Sequence, residues 1–83
     1  MKESECQSVM ISLNSIDKVK EFNSIITKYE DDFDLISGRY IVNAKSIMGT
    51  FSLDLTKDLK LVMYSSNTKM FSNVLDSIKK FLI

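Results

Sequence analysis

The chain has 83 residues, 45% hydrophobic and 27% charged, a balance that suits a soluble globular protein with one core. Eleven basic residues offset eleven acidic ones, so the cationic excess needed to wrap nucleic acid or cling to anionic lipid is missing. With no His and one Cys, the sequence excludes imidazole chemistry, an internal disulfide and zinc sites built from Cys and His. One domain spanning 1–83 is expected.

The first residues, Met1-Lys2-Glu3-Ser4-Glu5, carry no apolar stretch of signal-peptide type, and no segment approaches transmembrane length. A cytoplasmic location is the expectation. Residues 6–13 alternate, with Val9, Ile11 and Leu13 on one side, and read as a half-buried strand. Cys6 reads as a small apolar residue of that strand, since no His is present to activate it. Asn14 or Ser15 can cap a helix from Ile16 to about Lys28, with Asp17 at the positive end of its dipole. Its apolar positions are Ile16, Val19, Phe22, Ile25, Ile26 and Tyr29, at steps of three and four.

Glu30-Asp31-Asp32 ends that pattern. These acids and Asp34 lack the Gly and the distal Glu of an EF-hand loop, so they read as a solvated turn. Phe33 and Leu35 alternate with acids as a second strand. Ser37-Gly38 makes a turn, and Arg39 to about Lys45 forms a third strand that closes a hairpin. From Ser46 to Leu53 the chain is too apolar for a loop and too Gly-interrupted for a long helix. It reads as one or two helical turns capped near Ser46. Leu59, Leu61 and Met63 alternate as a fourth strand after a turn at Thr56-Lys57-Asp58. Ser65-Ser66-Asn67 caps a last helix carrying Phe71, Val74, Leu75, Ile78, Phe81 and Leu82 through to the C-terminus. The order βαββαβα predicts an α+β fold: a two-layer, open-faced sandwich, with a four-stranded antiparallel sheet and three helices on one face.

The segment Val42-Asn43-Ala44-Lys45-Ser46-Ile47-Met48-Gly49 resembles the HPr family, the small phosphocarriers of the bacterial sugar phosphotransferase system. The family pattern there is Val-Asn-x-Lys-Ser-Ile-Met-Gly, and every fixed letter is matched. Ser52-Leu53, and upstream Lys28-Tyr29 followed by acids and Leu35, also fit, and the order of elements matches the family fold over the whole chain. The departures fall where the family carries phosphate. Its phosphorylated His, within Gly-Ile-His-Ala-Arg-Pro, aligns with Ser15; its Arg aligns with Asp17, and its Pro is gone from Leu13-Asn14-Ser15-Ile16-Asp17-Lys18. The Gly that follows Ser-Leu in the family is Asp54 here. A Ser hydroxyl lacks imidazole basicity, and Asp17 repels phosphate where an Arg attracts it. His phosphocarrier activity is therefore not expected.

In Gram-positive members the Ser of Lys-Ser-Ile-Met-Gly is phosphorylated by a dedicated kinase, and the phosphoprotein acts as corepressor in carbon catabolite repression. The resemblance implies that Ser46 is a regulatory phosphorylation site. It also implies a docking patch of Ile47, Met48 and Phe51 beside Lys45. Partners would be proteins: an HPr-type Ser kinase/phosphorylase or a transcriptional repressor. Read from the residues alone, Ser46 is equally an N-cap, Ile47, Met48 and Phe51 the inner face of a short helix, and Lys45 a solvated charge. Ser15 likewise reads as an N-cap. No enzyme activity, cofactor, metal, nucleic acid or membrane is expected, and the oligomeric state is left open. The alternative to a Ser46-regulated protein is an HPr-fold interaction or structural module with no phosphorylation function.

Overall fold

The computed structural model of the chain describes residues 6–83; the leader reading made on residues 1–5 lies outside the described residues. Strand β1 (Cys6–Ile11) is followed by helix α1 (Ile16–Ile26), the hairpin strands β2 (Phe33–Ser37) and β3 (Tyr40–Asn43), and the short helix α2 (Ile47–Phe51). Strand β4 (Leu59–Tyr64), helix α3 (Thr68–Ser77) and a 3-10 turn at Lys79–Phe81 complete the chain. The four strands form one antiparallel sheet in the order β1-β4-β2-β3. The fold is α+β, as the pattern of elements predicted.

Alternation decides which sheet face is buried. Leu59, Leu61 and Met63 of β4 sit in one core with Phe33 and Leu35 of β2 and Ile11 of β1, all at 1% exposure or less. Helix α1 contributes Val19, Phe22 and Ile26 to that core, and α3 contributes Val74. Phe22 and Phe81 meet edge to face with centroids 5.9 Å apart. Each cap is a side-chain oxygen taking a free amide: Ser15 from Lys18, Ser46 from Gly49, Asn67 from Met70. The hairpin turns on Gly38, whose φ of 61° is the left-handed conformation expected at the first central position of a two-residue turn.

Several boundaries differ from the sequence expectation. β1 ends at Ile11, because the Ser12 amide leaves the sheet to donate to the Phe81 carbonyl at 2.9 Å, while Leu13 turns into the core. α1 ends two residues before Lys28 in looser turns, Lys28 donating to Ile25 and Tyr29 to Ile26. Ile16, expected on the apolar face, is 62% exposed at the first helical position. The last helix does not run to the C-terminus. It stops at Ser77, tightens into the 3-10 turn, and Leu82 then bridges to Ile11 on the edge of β1. Val62, on the side of β4 opposite the core, is still only 6% exposed, between Ser8 and Asp34 on the neighbouring strands.

Candidate functional site

The segment that carries the family motif begins as a turn held by its own side chains. The Asn43 Oδ1 accepts the Lys45 amide at 2.9 Å, and the Asn43 carbonyl accepts the Ser46 amide at 2.9 Å. That double contact breaks β3 and aims the chain into α2. From α1, the Asn23 side-chain amide donates to the Lys45 carbonyl at 2.9 Å and fixes the turn against the first helix.

Ser46 is exposed at the N-cap of α2, with φ −89° and ψ 109°. Its Oγ accepts the Gly49 amide at 3.1 Å, and its carbonyl accepts both the Thr50 amide and the Thr50 hydroxyl at 3.0 Å. Thr50 is the one buried polar residue among those described, and this bond satisfies it. Gly49 is held small by its surroundings: a Cβ there would stand 3.2 Å from the Ser46 Oγ and 3.4 Å from the Val42 Cβ. The glycine of the motif thus lets α2 close against its own cap.

The motif's apolar residues divide. Met48 is 74% exposed, whereas Ile47 and Phe51 are half-buried and lean on the core. The structure therefore offers one fully presented apolar side chain, flanked by two that are partly withdrawn. Lys45 turns out to be half-buried. Its ammonium donates to the Tyr29 carbonyl just beyond α1, and it stands 5.8 Å from the centroid of the Phe33 ring. A cation on a carbonyl at a helix C-terminus is a favourable dipole contact, so Lys45 has an internal role. The ammonium is thus turned onto the protein and is not the solvated charge that the residues alone suggested.

Ser15 sits at the N-cap of α1 in extended backbone, its Oγ accepting the Lys18 amide at 3.2 Å, with Asp17 in the first turn. Asp54 lies in the loop after α2. Its Oδ1 accepts the Thr56 hydroxyl at 2.6 Å and the Thr56 amide at 3.1 Å, with Lys57 at 4.0 Å from its other oxygen. The Thr56 hydroxyl and amide, with Lys57 nearby, hold this carboxyl below the ordinary carboxylate range. Among the described residues no three His, Cys, Asp or Glu side chains come together as a metal site, and no helix is long and apolar enough to cross a membrane.

Sequence reasoning missed what holds the motif in place: Asn23 and the Tyr29 carbonyl, respectively 22 and 16 positions from Lys45. No local signal marks such partners. Nor could spacing show that the exposed member of the apolar set is Met48.

Compared with known proteins, the sequence matches no protein-family model and no curated protein. The fold does have a counterpart. The crystal structure of a phosphocarrier protein HPr from Bacillus anthracis str. Ames superposes with a TM-score of 0.67. That match covers 94% of this chain and 95% of the other at 20% identity. The chain has the HPr fold, with a four-stranded antiparallel sheet and three helices.

Proposed function

We propose that this protein is an HPr-fold regulator without His phosphocarrier activity, switched by phosphorylation of Ser46. It is a cytoplasmic docking protein and not an enzyme. Its partners are an HPr-type Ser kinase/phosphorylase and a protein that reads the phosphorylated surface, such as a transcriptional repressor. The observation that carries this reading is an exposed Ser46 at the mouth of α2, two residues before an exposed Met48. A phosphate there adds about −1.5 to −2 charges beside the amides that begin the helix. On a chain of net charge zero this changes the local potential with no change of fold. Met48 supplies an adaptable apolar contact, with Ile47 and Phe51 behind it.

One observation favours a second reading, that of an HPr-fold interaction module with no phosphorylation. Asn43, Lys45, Ser46 and Gly49 each have an internal job, so packing alone accounts for those letters of the motif. Intact mass after incubation with ATP and an HPr-type Ser kinase separates the two. A single added phosphate, absent in Ser46→Ala, is the expected result. No added phosphate, with a control HPr labelled in the same tube, leaves the second reading standing.

A further inference from the structure

The two edges of the sheet are finished differently. On β1, the chain's own end lies along the outer side: Leu82 bridges to Ile11, and the Ile83 amide points at the Met10 carbonyl at 3.4 Å. On β3, no described residue pairs with the outer side. This strand has no Pro, no Lys and no bulge within Tyr40–Asn43, and only its length of four residues limits pairing along it. It carries two of the most exposed large apolar residues of the protein, Tyr40 at 67% and Ile41 at 62%.

The hairpin fixes which backbone groups face outward. Ser37 and Tyr40 flank the two-residue turn and form a hydrogen-bonded pair, as do Leu35 and Val42 two residues on. The Ala44 amide donating to the Phe33 carbonyl at 3.0 Å continues the same alternation. The N–H and C=O of Ile41 therefore point away from β2, and the Asn43 amide does too.

We propose that β3 is a self-pairing edge: a second copy of this chain adds its own β3 antiparallel, about a two-fold axis at Ile41, to make one continuous eight-stranded sheet. The axis follows from the outward groups, since Ile41 of each copy exchanges both backbone bonds with Ile41 of the other. In that register Ile41 covers Ile41 on the open sheet face. Tyr40 lies against Val42 of the second copy on the other face, so both exposed apolar residues are covered. The charges also fit. Arg39, which has no ion-pair partner among the described residues, falls opposite Asn43 of the second copy. Asn43 is paired in turn with Asp34 on the same face, whose Oδ2 accepts the Tyr64 hydroxyl from β4 at 2.7 Å and whose negative charge the Arg39 guanidinium would share. Two strand spacings, about 10 Å between Cα atoms, are within the joint reach of an Arg and an Asp side chain. The two-fold makes this contact twice.

The interface is small, so the pairing is a weak, reversible one that appears at high concentration. Sedimentation up to about 1 mM protein tests it, because interfaces of this class are transient. The expected result is an average mass that rises towards the dimer, with slowed hydrogen exchange of the Ile41 amide over the same range. Ile41→Lys places two ammonium groups on the axis and should keep the chain monomeric. The sharper test is a pair of charge variants, each checked for native circular dichroism. Arg39→Glu alone and Asp34→Lys alone set like charges against each other and should not self-associate. Mixed, they meet with opposite charges at both contacts and should associate. A chain that stays monomeric throughout, an association that survives Ile41→Lys, or a mixture that behaves as its components do would overturn the proposal.

Discussion

The Ser46 Oγ holds the Gly49 amide, so a substitution at this residue acts on the helix before it acts on any regulation. Ser46→Ala leaves that amide without its side-chain acceptor and should lower the unfolding free energy by about 1 kcal/mol. Ser46→Asp keeps an acceptor oxygen and adds a negative charge at the favourable end of the helix dipole. Its stability should fall within about 0.5 kcal/mol of the parent. Urea titration of the three proteins checks both values. The distinction matters for the kinase experiment, because Ser46→Ala removes a cap together with a hydroxyl, whereas Ser46→Asp separates the two. Gly49 constrains the same corner, since a methyl group there would press on the very oxygen that caps the helix.

At the scale of elements, α2 is short and owes its position to what surrounds it, because five residues cannot hold a helix by their own hydrogen bonds. Lys45 is one such support, joining the turn before α2 to the carbonyl just beyond α1. Lys45→Ala removes a charged donor from a half-buried carbonyl and should cost about 1–3 kcal/mol. Read by thermal or urea unfolding, a loss of that size marks an internal contact, whereas a solvated charge would leave stability unchanged. The elements themselves were legible wherever burial followed a clean period: Leu59, Leu61 and Met63 on β4, and Val19, Phe22 and Ile26 on α1. Caps at Ser15, Ser46 and Asn67 were legible because their chemistry is local. The departures have tertiary causes. Leu82 continues the helical spacing of α3, yet the edge of β1 offers it a strand partner instead. Ile16 fits the apolar period but sits at the helix entrance, where the core does not reach. The direction taken by Lys45 depends on Tyr29 and Phe33, which no spacing near residue 45 reveals.

For the molecule as a whole, the question is what an HPr fold can do without the group that gives phosphocarriers their activity. The chain contains no His at all, so no imidazole elsewhere can stand in for the missing one. At the position that the sequence resemblance aligns with that group, the Ser15 Oγ accepts the Lys18 amide, and Asp17 sets a negative charge in the same turn. A hydroxyl forms a phosphate ester that does not pass its phosphoryl group onward as a phosphoimidazole does, and the nearby carboxylate opposes an incoming phosphoryl group. Incubation with phosphoenolpyruvate and enzyme I should therefore leave the intact mass unchanged, under conditions that label a control HPr completely. Ser15→Ala should behave as the parent does. A phosphate that appears in the parent and disappears in Ser15→Ala would return the chain to the phosphoacceptors. Its absence in both is the outcome expected of the regulator proposed above, whose Ser46 and α2 surface act independently of the start of α1.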